Sequence, residues 1–137
     1  MRQTRDSFLR FLSDNLPGTK IHAVRRSTTE VDGDKLEMNA VNVKFLASDF
    51  SIHISDQLVV IDVVHEDELS AVDLYTQLWQ ILNKRAYIQK YDYTDPQNPV
   101  AVDNVVVYWE PTVRFIPIFN PAYSHWHCTI HLKHHIP

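Results

Sequence analysis

Residues 57–64 read QLVVIDVV, a nearly continuous run of β-branched side chains interrupted by one carboxylate, Asp62. Such a run fits a strand covered on both faces, at the middle of a sheet. The acidic side chains of Glu66, Asp67 and Glu68 come directly after His65 and favour a helix N-terminus. Leu69, Val72, Tyr75, Leu78, Trp79 and Leu82 then recur at helical spacing up to Lys84 and Arg85. The charges at both ends agree with the helix dipole, so a strand, an acidic turn and an amphipathic helix form the expected centre of the fold.

Upstream, Val41, Val43 and Phe45 alternate with Asn42 and Lys44, the period of a half-buried strand with one wet face. Residues 20–26 read as a short strand, and residues 27–35, polar and holding the turn Asp32-Gly33, as an exposed loop. Phe8, Leu9, Leu12 and Leu16 mark an amphipathic helix over residues 3–16, stopped by Pro17-Gly18. Downstream, YDYTDPQNP at residues 91–99 is a loop, and Val105, Val107 and Trp109 begin another strand. Pro111 and Pro117 interrupt the chain beyond Trp109 and suggest an edge strand or a bend there. Residues 123–135 alternate again, with Trp126, Cys128, Ile130 and Leu132 on one face and His125, His127, Thr129, His131 and Lys133 on the other. The order helix, strands, helix, strands, with no repeat or internal linker, predicts a single α+β domain over residues 1–137, its two helices packed on a mainly antiparallel sheet.

At 137 residues and 45% hydrophobic, such a chain buries roughly two thirds of its unfolded surface. The net charge of -4 arises from 17 acidic and 13 basic residues, with no basic block beyond Arg25 and Arg26. Sequence-specific nucleic-acid binding is therefore disfavoured. Two glycines, Gly18 and Gly33, leave no Gly-rich loop to bring backbone amides onto a phosphate. No run is long and apolar enough for a membrane span, and MRQTRDSFLRFL lacks the pattern of a signal peptide, so the protein is expected to remain where it is made. The lone cysteine, Cys128, forms no internal disulfide and fits a reducing compartment.

Four groups of residues bear on chemistry. His125 and His127 project two imidazoles to one side of a strand, where they can share a divalent metal with a third ligand from His53, His65 or a carboxylate. His131 lies four residues beyond His127, roughly 13 Å along a strand and too far to join them. A solvated histidine face accounts for the same pattern, and no metal ligand set is assigned. Cys128 falls on the apolar face with Trp126 and Ile130, the place of a buried structural cysteine rather than a nucleophile. Of Asp62, Glu66, Asp67 and Glu68, the last three are explained by helix capping; Asp62 is expected to meet an Arg or Lys, or a wet face. Tyr87, Tyr91 and Tyr93 beside Lys84, Arg85 and Lys90 can stack single-stranded bases, but a strand entering a loop, with tyrosines at the sheet surface or at a subunit contact, suits so small a patch better. No catalytic residue and no cofactor is expected.

Residues 50–83, FSIHISDQLVVIDVVHEDELSAVDLYTQLWQILN, place a surface stretch, a Val/Ile strand ending in Asp, an acidic cap and an amphipathic helix in succession. That unit resembles the tail terminator and tail-completion proteins of long-tailed bacteriophages. The helix ending at Leu16-Pro17, the strand with Arg25-Arg26, the strand over residues 41–46 and a closing C-terminal strand extend the likeness over most of the chain. The resemblance implies a structural virion protein of the tail or neck, assembled in the host cytoplasm, not an enzyme. It implies a homo-oligomeric ring, a hexamer, seated on the tail tube protein, ending tube growth and meeting the head connector. A head-completion or stopper protein of the same neck is the alternative. Residues 27–35 and 91–99 are the expected contact segments.

Overall fold

The structure is a computed structural model and describes residues 2–24, 36–50 and 53–135. Helix α1 (Arg2–Asn15) leads into β1 (Lys20–Ala23), β2 (Ala40–Phe50) and β3 (Ile54–His65), followed by helix α2 (Glu68–Lys84). Four strands complete the chain: β4 (Tyr87–Asp92), β5 (Val100–Tyr108), β6 (Ile116–Ile118) and β7 (Ser124–His135). They form one seven-stranded sheet in the order β1-β2-β3-β7-β5-β4, with β6 joined to β7. Every pairing is antiparallel except β1 with β2. The expected α+β domain is the one found, its sheet mixed by that single parallel pair.

The run at residues 57–64 lies in β3, and β3 and β7 pair in unbroken register from Ile54 opposite His135 to His65 opposite Ser124. Side chains on paired strands alternate between the two faces of the sheet. Val41, Val43, Val59, Ile61, Val63, Cys128, Ile130 and Leu132 line one face. There they meet Phe8, Phe11, Leu12 and Leu16 of α1 and Leu78 and Leu82 of α2. Both helices thus cover the same face. Each such buried side chain contributes about 1.5–3 kcal/mol of transfer free energy. Trp109 closes this core edge-on to Phe8, its ring centroid 5.7 Å away, and its indole N–H donates to the Leu82 carbonyl at 2.9 Å.

Polar contacts fix the two helices. The Ser7 hydroxyl accepts from the Tyr91 N–H at 2.9 Å, and Arg5 donates to the buried Gln57 at 3.2 Å. Asp67 is the N-cap of α2 and accepts from the Ser70 N–H at 3.1 Å. Gly18 takes φ +79° just after α1, a left-handed conformation that a side chain resists, and so turns the chain toward β1.

Several expectations need correction. β2 is not half wet at its start, because Ala40, Val41, Asn42 and Val43 are all buried. Asn42 tolerates this by accepting from the Glu37 N–H at 2.7 Å and donating to the carbonyls of Glu37 at 3.0 Å and Asp62 at 3.3 Å. The apolar stripe of α2 is narrower than its spacing implied: Ala71, Leu78 and Leu82 are buried, while Leu69 is 75% and Trp79 46% exposed. β1 ends at Ala23. The contact loop expected at residues 27–35, with Arg25 and Arg26, lies outside the described residues. Tyr91 and Asp92 belong to β4 rather than to the loop, which begins at Tyr93 and is turned by Asp92 and Asp95 accepting from the N–H groups of Thr94 and Gln97.

Candidate functional site

The alternation that sends Ile61 and Cys128 toward the helices sends Asp62, His125 and His127 to the opposite face. Asp62 stands directly across from His127, and His125 pairs with Val64 one step along the same side. The Asp62 Oδ1 lies 2.6 Å from His125 Nε2 and 2.8 Å from His127 Nδ1. The Asp62 and His125 side chains are each 11% exposed and that of His127 27%. His127 Nε2 is 3.5 Å from the Thr129 hydroxyl. Farther along the same face His131 Nδ1 meets Asp56 at 3.0 Å, a separate and more exposed pair.

The Arg or Lys partner or wet face expected for Asp62 is not what the described residues provide: the side chain is only 11% exposed. Among the described residues its carboxylate meets two histidines brought in by β7. The other suggested third ligands go elsewhere. His65 Nδ1 accepts from the Asp67 N–H at 3.0 Å. His53 precedes Asp62 by nine residues, roughly 30 Å along a strand. Glu66 and Glu68 stay with the start of α2. Three donors on one wall, two imidazole nitrogens and a carboxylate oxygen, can hold a cation or share protons through hydrogen bonds. Cys128 takes no part: burial, with the negative charge of Asp62 adding to it, pushes its thiol pKa far up, so it stays protonated on the helix side.

The tyrosines do not form one stacking platform. Tyr91 and Tyr93 lean on each other with centroids 5.9 Å apart, whereas Tyr87, at the other end of β4, lies under the Arg85 guanidinium. A groove of about 690 Å³ between α1 and α2, lined by Phe11, Leu16, Ile81 and Lys84 among others, opens on the helix side, away from the histidines.

The edge strand or bend expected from Pro111 and Pro117 is found as β6, but its exposed apolar side chains were not expected. Ile116 and Ile118 of β6 are 49% and 39% exposed, and Phe119 beside them is 91% exposed. They are paired with His127 and His125, so both isoleucines flank the histidines on the helix-free face. Other exposed apolar side chains lie on the β4–β5 hairpin, Tyr87 and Val106 near one end and Val100 at the other. The hairpin joins β7 at Lys133, six residues and roughly 20 Å from the β6 pairing. The run Ile116-Pro117-Ile118-Phe119 was the available signal, obscured by its proline. No protein-family model matches the chain, and no curated protein matches it either.

Proposed function

We propose that this chain is a ring-forming structural subunit of a long-tailed bacteriophage, a tail terminator that caps the tail tube, stops its growth and joins it to the head connector. The β6 edge carries the reading. A short edge strand bearing Ile116 and Ile118, followed by an almost fully exposed Phe119, is a surface that pairs with another chain unless something covers it. A closed ring needs two different surfaces on every subunit, and the exposed Tyr87 and Val106 at one end of the β4–β5 hairpin support a head-to-tail contact with β6 of the neighbour. The order of elements, with the β3–α2 unit at its centre, agrees with the family resemblance.

The experiment is the solution mass of the full chain against concentration, for the natural sequence and for a double variant Ile118→Asp, Phe119→Asp. Loss of an anchoring contact costs about 2 kcal/mol, ~30-fold in affinity. The natural protein assembles into rings, and the double variant stays a folded monomer at the same concentration. Assembly of the variant as readily as the natural chain removes the β6 edge from the interface.

A further inference from the structure

We propose that Asp62, His125 and His127 bind one divalent first-row transition ion, with zinc the best match to the donor set. The site lies within one subunit on β3 and β7 and does not depend on ring formation, so a monomer must bind the ion as well.

The donors converge. The three atoms, Oδ1 of Asp62, Nε2 of His125 and Nδ1 of His127, lie within 4.8 Å of one another. Zinc holds imidazole nitrogen and carboxylate oxygen at about 2.0–2.2 Å, which sets tetrahedral ligands roughly 3.3 Å apart. The 2.6 and 2.8 Å separations need to open by about 0.5–0.7 Å to reach that spacing. The separation between the two ring nitrogens is at most 4.8 Å.

Charge points the same way. An imidazole that binds a metal is neutral, so the trio carries one negative charge at a carboxylate only 11% exposed. Buried charge calls for a partner, and among the described residues no Lys or Arg side chain meets this carboxylate. With both rings neutral, as metal binding requires, a dication takes the place of the charge that a protonated His125 or His127 supplies to Asp62 in the metal-free chain.

The ligands are also supported from behind. Asn42 donates to the Asp62 carbonyl and holds that backbone, while the Thr129 hydroxyl stands next to the remaining ring nitrogen of His127. Two nitrogens and one oxygen suit zinc and its first-row neighbours rather than magnesium or calcium, which take oxygen ligands. Three protein ligands leave a fourth position, on the side where Ile116 and Ile118 pair with His127 and His125.

The test uses the full chain, purified without a histidine tag, stripped with a chelator and titrated with zinc chloride, and in parallel with cobalt chloride as a spectroscopic probe. One ion per chain is expected, with visible cobalt bands of tetrahedral intensity and a melting temperature that rises with zinc. His125→Ala and His127→Ala each weaken binding tenfold or more, whereas His131→Ala binds as the natural chain does. Asp62→Asn tests the carboxylate, and His127→Ala, at a more exposed ring, carries the test if that variant does not fold. The proposal is overturned if the stripped chain takes up no ion above the buffer blank. It is equally overturned if His131→Ala abolishes binding while His125→Ala and His127→Ala retain it, which would mark an adventitious surface site.

Discussion

Asp62 and His127 face each other across the central pair of strands, with carboxylate oxygen and ring nitrogen 2.8 Å apart. They are 65 residues apart in sequence, and the contact ties the fold's most apolar strand to its most histidine-rich one. Removing Asp62 leaves both rings without this acceptor, whereas removing His127 leaves the carboxylate on His125 alone; a lost hydrogen bond of this kind costs about 1–3 kcal/mol. A double-mutant cycle with Asp62→Asn and His127→Ala in urea, with metal removed, should return a coupling of about 1 kcal/mol. Strict additivity of the two losses means that the pair contributes nothing to folding.

Ile61, fully buried on the helix side of β3, should cost about 2–5 kcal/mol as Ile61→Ala. Ile61→Asp should abolish cooperative unfolding, since it sets an unpaired charge among Leu78, Leu82 and Cys128. Val60 is 8% exposed on the opposite face, beside Asp62, so Val60→Asp adds a like charge there and should also destabilise, by less. Circular dichroism melts read both. A cooperative melt for Ile61→Asp near that of the natural chain contradicts the placement of β3.

These residues also mark how far the sequence was legible. The β-branched run located the central strand, and alternation along residues 123–135 assigned Cys128 and His127 to opposite faces correctly, because both readings depend on local period alone. The partner of Asp62 was not legible, since it depends on which strand lies next to β3 and in what register. Asn42 looked solvent-facing because period-2 alternation does not report that the chain at Glu37 folds over it. Leu69 and Trp79 share the helical period of Leu78, but α2 meets the sheet over a narrower stripe than that period allows. Pro117 pointed to the edge where β6 lies, but a proline does not tell what its neighbours expose.

Thr4 is completely buried in α1, and its hydroxyl has no hydrogen-bond partner among the described residues. Thr4→Val keeps the shape and removes the unmet polar atom, so stability should be unchanged or higher by about 1 kcal/mol. A thermal melt decides it. A clear loss of stability means that the hydroxyl finds a partner in solution.

His134, on the helix side of β7, is buried, and its Nδ1 has no hydrogen-bond partner among the described residues. Burial, with the positive charge of Lys90 adding to it, lowers its pKa below the ordinary value. The folded state thus prefers the neutral ring, and this preference stabilises fully above the unfolded pKa of about 6.5 and is lost as pH falls below it. The urea midpoint of the natural chain should therefore fall more between pH 8 and pH 5 than that of His134→Gln. Parallel pH profiles for the two proteins mean that His134 does not report its burial.

The most direct test of the ring reading is negative-stain electron microscopy of the purified chain mixed with tail tubes. A ring or cap at one end of each tube, with tube growth arrested there, is the predicted result. Tubes whose ends stay bare and keep elongating at saturating protein contradict it.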